Sequence, residues 1–316
     1  MTTYNVFATQ IGNSSNGSNN NNNNINASNC QENDLQGDNL DNSAIVSISP
    51  NDNAVSANDQ YPLPKFDPCN FGNETINNPY FTLTPGTIFT YQTKTEDGTE
   101  KDIVIVTNET KEILGITTTV VWDRVWLDED LIEATFDWHA QDKEGNVWYM
   151  GEDSKEYENG KVVSTEGSWE AGVDGAKPGI IMEADPQIGD SYRQEYYPGH
   201  AEDAAKVVSL NETVTVPFGT FTNCIQTRDV SLLEPTLDED KYYCTSISSV
   251  TLEVAIDSGE RAEPIDFQQS GGTESTSSND IGITDDADEP GDNDANDDQE
   301  DTDSGYEDAG EANDDG

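Results

Sequence analysis

Between residues 81 and 256, apolar and polar positions alternate with the period of two that a half-buried strand requires, broken by short turn-forming stretches. Ile88-Phe89-Thr90-Tyr91-Gln92-Thr93 alternates, stops at Asp97-Gly98 and resumes as Asp102-Ile103-Val104-Ile105-Val106-Thr107, the pattern of a hairpin. Residues 112–127, rich in Thr, Val, Ile and Trp, read as one run that turns at Asp128-Glu129-Asp130 and returns through Ile132 to His139. Side chains branched at Cβ and aromatic rings favour a pleated surface over a helix. Two further strands flank Asn159-Gly160, a dipeptide suited to a type I′ turn. The glycine-rich stretch 167–189 shows little periodicity and reads as a long ordered loop, packed on the domain by Trp169, Ile180, Ile181 and Met182. Strands are expected again over 191–197, 205–210, 212–216, 220–230, 241–249 and 250–256, with a helical turn or two at 199–207.

About a dozen antiparallel strands result, and a sheet of that size hides its edges best by closing or half-closing on itself. The expectation is an all-β fold, an antiparallel barrel, half-barrel or sandwich, over residues 78–267. Residues 1–77 are dominated by Asn, Ser and Asp, with an unbroken Asn run from 19 to 24, and residues 268–316 carry eighteen acids and no Lys or Arg. Neither flank has the apolar content to offset chain entropy, so both are expected to be mostly disordered.

Residues 65–267 hold all fourteen basic side chains and forty of the sixty-four acids, so the net charge of −50 is not confined to the flanks. Such a surface repels nucleic-acid phosphates and anionic membranes, which removes nucleic acid as a partner, and it suits cations. No stretch approaches the eighteen or so apolar residues of a membrane-spanning helix. The start, Met1-Thr2-Thr3-Tyr4-Asn5-Val6, has neither the basic region nor the apolar region of a leader. The composition is nonetheless that of a surface protein, and a monomer in the extracellular space or cell envelope is expected. Cys30, Cys69, Cys224 and Cys244 lack CxxC spacing, which argues against a structural zinc cluster. Cys224 and Cys244 lie on two strand-like runs where a cross-strand disulfide fits an oxidising compartment.

Three of the five tryptophans and both histidines fall between Asp137 and Asp203. This stretch opens Asp137-Trp138-His139-Ala140-Gln141-Asp142, continues Gly145-Asn146-Val147-Trp148-Tyr149-Met150-Gly151-Glu152-Asp153 and Gly167-Ser168-Trp169-Glu170-Ala171-Gly172, and closes with Tyr192-Arg193-Gln194-Glu195-Tyr196-Tyr197. These motifs resemble those of a family of secreted or lipoprotein-like bacterial and archaeal proteins, over roughly residues 80–255. The resemblance implies an exported β domain and brings no activity with it; the family pattern carries a carboxylate where His200 stands. Val216-Pro217-Phe218-Gly219-Thr220-Phe221, followed by Lys241-Tyr242-Tyr243, is similar to the hairpin and aromatic return strand of envelope lipoprotein-like domains, with Ser246-Ile247-Ser248 in place of their Gly-x-Gly turn.

Three constellations in that stretch carry candidate chemistry. Asp142 and Asn146, with Asp137 and Glu152, form an oxygen-rich group of the kind that binds calcium, which takes six to eight hard ligands. Lys143 interrupts the EF-hand order, and the same residues equally serve a solvated hairpin turn whose Asp and Asn satisfy local donors. His139 and His200, with Glu195, Glu202 and Asp203, would make an open metal site if they converged, but no HExxH spacing enforces it. Asp137, Glu152, Glu170 and Glu195 could supply the acid and base of glycoside hydrolysis, with sugars stacked on Trp138, Trp148, Trp169, Tyr196 and Tyr197, though any acidic β protein has such neighbours. No Gly-x-Ser-x-Gly elbow or phosphate-binding glycine loop is present, which disfavours serine hydrolases and nucleotide-dependent enzymes.

The leading expectation is a binding or envelope-associated module with an acidic, aromatic-lined cleft formed by residues 137–153, 167–189 and 192–203. There Trp148, Trp169 and Tyr196 supply apolar contact, Arg193 meets a ligand carboxylate, and Asp142, Glu152 and Glu195 fix polarity. Its ligand is a small apolar or carbohydrate molecule or a divalent cation, calcium foremost. A metal-assisted or two-carboxylate hydrolase, and a structural surface protein with an acidic solvating tail, are the alternatives.

Overall fold

The computed structural model describes residues 60–72, 75–234 and 236–269. The expectations for residues 1–59 and 270–316 lie outside them. Among the described residues no helix is long and apolar enough to cross a membrane.

β1 (Asn77–Asn78) and β2 (Phe81–Thr82) pair as a small flap. A meander follows: β3 (Ile88–Lys94), β4 (Thr99–Ile113), β5 (Ile116–Leu127), β6 (Asp130–Gln141) and β7 (Val147–Glu158). β8 (Lys161–Ser164), β9 (Trp169–Glu170) and β10 (Lys177–Met182) all pair with β7. After the short β11 (Ser191–Arg193) and β12 (Glu195–Tyr196) come β13 (Asp203–Val216), β14 (Gly219–Ser231), β15 (Asp238–Cys244), β16 (Ser249–Ala255) and β17 (Arg261–Gln268). The order round the sheet is β11-β13-β14-β15-β16-β17-β3-β4-β5-β6-β7-β10-β12, antiparallel at every pairing. β11 and β12 are consecutive in the chain, so the two ends of this row meet at Gln194, whose N–H donates to the Asp203 carbonyl at 2.9 Å. The outcome is the expected all-β fold in its barrel form, nearly closed, with 13 strands in the ring.

Several local expectations are corrected. The run 112–127 contains a turn at Leu114-Gly115, where both residues hold positive φ (52° and 75°) and end β4; Leu masked it, because only Gly of the pair is a turn former. Residues 167–189 are not a loop throughout, since β9 and β10 extend the sheet from β7. Residues 199–207 are not helical, because Asp203 already pairs with Ser231 in β13. Residues 205–216 form one bulged strand instead of two. Ordered chain also begins before residue 78. Tyr61 is buried, and Phe66 and Phe71 pack edge-on against Trp148, with ring centroids 5.4 and 5.9 Å away.

The lumen is apolar at the end beneath the β1–β2 flap, where Phe81, Phe89, Tyr91, Val104, Val121, Ile225 and Tyr243 share one cluster. Outside the ring, three register shifts between Val207 and Thr213 redirect the β13–β14 hairpin. Its distal half packs Val214 and Val216 with Cys244 and Leu252, and the Cys224–Cys244 disulfide fixes it there. Its tip approaches β17, where Arg261 Nη2 donates to the Thr215 carbonyl at 3.3 Å.

The seam tolerates no side chain at position 179 of β10. A Cβ on Gly179 would lie 2.3 Å from the Arg193 carbonyl oxygen and 2.4 Å from that of Gln194, backbone atoms that cannot swing away. Gly179→Ala should therefore lower stability by about 3 kcal/mol in urea unfolding; a loss below about 0.5 kcal/mol would show that the seam is not a fixed contact.

Candidate functional site

Strand parity that buries valine in one half of the barrel buries acids in the other. The inward positions of β4 read Glu100, Asp102, Val104, Val106, and those of β5 read Val121, Asp123, Val125. β6 contributes Glu133, Asp137 and His139, β7 contributes Glu152, and β12 contributes Glu195. From the other wall come Asp229 on β14, Glu239 and Lys241 on β15, and Glu253 on β16. Each of these charged side chains is at least nine-tenths buried. Among the described residues, ten carboxylates thus face a single lysine across this half of the lumen.

Their geometry shows how so many like charges coexist. Lys241 Nζ stands 3.4 Å from Glu253, 3.5 Å from Glu239 and 3.9 Å from Asp229. Burial alone would lower its pKa, but these three carboxylates overcome that and raise it well above the ordinary lysine value. Asp229 also accepts from Thr227 Oγ1 at 2.6 Å and Gln194 Nε2 at 3.1 Å. The Tyr149 hydroxyl lies 2.5 Å from Asp137 Oδ1 and 3.1 Å from Glu152 Oε2. A phenol has one proton to give, so simultaneous bonds to both require a carboxyl that keeps its own; burial pushes both acids well up, helped by repulsion from Asp123 and Glu133 at Asp137 and from Asp137 and Glu133 at Glu152. All four carboxylate oxygens of Asp102 and Asp123 are buried without a hydrogen-bond partner; burial is the largest cause of shift in both, raising Asp102 to about 7 and Asp123, which Asp102 also repels, well above its usual range. His139, stacked on Tyr149 and tilted against Phe81, is pushed down by burial to about 3 and stays neutral.

The acidic half opens at the rim into a cavity of about 1030 Å³. Its walls are the β3–β4 turn with Glu96 and Asp97, the β16–β17 turn with Asp257 and Glu260, Glu263 and Ile265 of β17, Lys94 of β3 and Pro217 at the tip of the β13–β14 hairpin. Glu100, Leu127 and Ile132 form its inner part. Six carboxylates meet two cations there, and one of these, Arg261, is tied to Glu263 at 2.8 Å. Glu100 is 6% exposed, and its Oε2 is buried with no hydrogen-bond partner. Burial, then Glu260, Glu133 and Asp97, raise its pKa to about 7. A second cavity of about 20 Å³, beside Glu195, Asp229, Glu239 and Lys241, has room for about one water molecule.

The residues singled out from sequence do not assemble as expected. Asp142 accepts through Oδ1 from the Gly145 and Asn146 N–H groups at 2.9 Å, and through Oδ2 from Asn146 Nδ2 at 2.9 Å and Trp148 Nε1 at 2.8 Å. Its carboxylate is filled by its own turn, whereas Asp137 and Glu152 turn into the lumen, so the calcium set Asp137, Asp142, Asn146 and Glu152 is divided. Among the described residues no group of three or more His, Cys, Asp or Glu is arranged to hold a metal ion. Trp148 packs on Phe66 and Phe71, and Trp169 stands edge-on to Tyr149 at 5.5 Å, both buried in the second apolar cluster instead of lining an open cleft. Arg193 is 2% exposed, pairs with Glu202 at 3.1 Å and donates through Nε to the Tyr61 carbonyl at 3.2 Å. Tyr196 is half-buried with Lys177 Nζ 5.2 Å from its ring, and Glu195 belongs to the lumen. His200 is exposed, stacked on Tyr197 at 4.3 Å, and does not converge with the buried His139. Glu170 pairs with Lys111 at 2.8 Å. The Cys224–Cys244 disulfide is present as expected, and Cys69 is disulfide-bonded as well.

Sequence reading missed Glu100, Asp102, Asp123, Glu133, Asp229, Glu239, Lys241 and Glu253. The signal was available in strand parity: Asp102 precedes Val104 by two, and Asp123 sits midway between Val121 and Val125, so both share the buried side of their strands.

No family model and no curated protein matches the chain. Among solved structures, it is similar to a protein provisionally described as a lipoprotein from Parabacteroides distasonis, at 10% identity and a TM-score of 0.29, over 60% of this chain and 98% of that one.

The buried acids fix the sign of the pH response. Glu100 and Asp102 hold protons up to about pH 7 in the folded chain, whereas carboxylates of an unfolded chain release theirs near pH 4. The folded state therefore binds more protons between those limits, and stability should rise as pH falls from 8 towards 5, by up to about 1.4 kcal/mol per pH unit for each titrating group. Urea midpoints across that range test it, with Asp123→Asn expected to raise the pH 8 midpoint and flatten the profile. A midpoint that drops steadily on acidification would mean that these acids are ionised and paired.

Proposed function

We propose that the protein is an exported, envelope-associated binding module that takes a cationic ligand at the acid-rimmed mouth of its barrel. The observation that carries this reading is the 1030 Å³ cavity in which six carboxylates outnumber two cations and Glu100 presents a buried oxygen without a donor. That volume matches small-ligand sites, which run from about 300 to 1,000 Å³. An unsatisfied buried acceptor costs free energy that an arriving cation offsets. Disulfide bonds at Cys69 and Cys224–Cys244 suit an oxidising compartment and support export.

Thermal melting of the full chain in calcium chloride and in small amine salts, against sodium chloride at equal ionic strength, tests the reading. The comparison is needed because screening alone stabilises so acidic a protein. At a hundredfold excess over Kd, a specific cation should raise Tm by about 5–10 °C beyond the sodium control, and the Glu100→Gln/Glu260→Gln double variant should lose that increment. If every cation acts as sodium does, the mouth is not a binding site.

A further inference from the structure

We propose that the ligand of the mouth is an aliphatic amine, and that its ammonium group enters by exchange for a proton on Glu100. This rests on the binding reading above and names the chemistry of the same site. Two observations separate an organic ammonium from a metal ion. Among the described residues, no three His, Cys, Asp or Glu side chains are arranged to coordinate a metal. The cavity also sets apolar groups beside its acids, Leu127 and Ile132 next to Glu100, and Pro217 and Ile265 farther out. A hydrated metal ion gains nothing from that surface, whereas a methylene chain loses unfavourable contact with water on it.

The proton exchange follows from what surrounds Glu100. Asp97 faces it from the β3–β4 turn, Glu133 from β6, Glu253 from β16 and Glu260 from the β16–β17 turn. Lys94 and Arg261 line the same cavity, Arg261 already holding Glu263. Buried itself and with four acids around it, the carboxyl of Glu100 carries its proton near neutrality. Arrival of R–NH₃⁺ reverses the balance: the O–H bond of the carboxyl breaks, the proton leaves to the buffer, and the carboxylate accepts a hydrogen bond from the ammonium. Net charge in the site is unchanged by the exchange, so the neighbouring acids meet no new repulsion. Affinity should accordingly weaken as pH falls below 7.

Isothermal titration of the full chain with hexylamine hydrochloride at pH 7, in two buffers of different ionisation enthalpy, reads both halves of the proposal. Expected are one amine per chain and release of about half a proton per amine, as for a group titrating near that pH. Hexan-1-ol, which lacks the charge, should give no saturable binding. Glu100→Gln, nearly isosteric and relieved of a buried acid, should keep its far-ultraviolet circular dichroism, abolish the proton release and weaken the amine by about thirtyfold or more. Hexylamine binding without proton release, equally strong in Glu100→Gln, would overturn the inference. So would calcium binding that requires Glu100 while hexylamine is silent, which would leave the mouth as a cation site of another kind. Silence from both cations would remove the binding reading itself.

Discussion

Burying a carboxylate costs several kcal/mol unless it is paired or protonated, and among the described residues the acidic half of the lumen holds ten buried carboxylates with one lysine. The rest of the architecture answers that cost. Lys241 neutralises part of one wall through Asp229, Glu239 and Glu253. Across the lumen, Tyr149 bridges Asp137 and Glu152, and burial raises Asp102 and Asp123 until they keep protons. Such groups hold together only inside a wall that cannot open to relieve them. The ring is accordingly continuous through Gln194, close-packed at Gly179 and covered near Trp148 by Phe66 and Phe71.

The division of the lumen into an apolar half and an acidic half lets stability and site reside in one barrel. Phe81, Phe89, Tyr91, Val104, Val121, Ile225 and Tyr243 supply the burial that offsets chain entropy. The acids then occupy the half nearer the open rim, where Glu100 is both lumen residue and cavity floor. Tyr91 marks the change of character: its ring belongs to the apolar cluster and its hydroxyl donates to the Val250 carbonyl at 2.9 Å, satisfying its polar tip without using an acid.

The barrel itself was legible in the sequence, because alternation over residues 88–93, 102–107 and 120–139 encodes strands directly and turn residues such as Asp97-Gly98 and Asn159-Gly160 mark their ends. β10 was not, because Lys177-Pro178-Gly179-Ile180-Ile181-Met182 has no alternation; five of its six residues are buried, so neither periodicity nor polarity distinguishes its faces. The site was misplaced for a related reason. Tryptophans, histidines and the Asp142 turn attract notice by residue type, yet their groups are spent on packing and on local hydrogen bonds. The acids that matter are ordinary in type and unusual only in parity, a property visible once each strand is assigned a buried side.

That parity has a further consequence for how the site relates to the fold. An acid on the outer face of β4 would be hydrated and worth little, whereas Glu100 and Asp102 on the inner face are set against the acids of β5, β6 and β16 by the register of the sheet alone. A one-residue slip of β4 would send both to solvent and bring Lys101 and Ile103 inside. The electrostatic character of the mouth is thus a property of strand register, fixed by the hairpin turns at Asp97-Gly98 and Leu114-Gly115 that bound β4. Loop chemistry at the rim supplies Asp97, Asp257 and Glu260, but the buried carboxyl on which they act is positioned by the barrel wall.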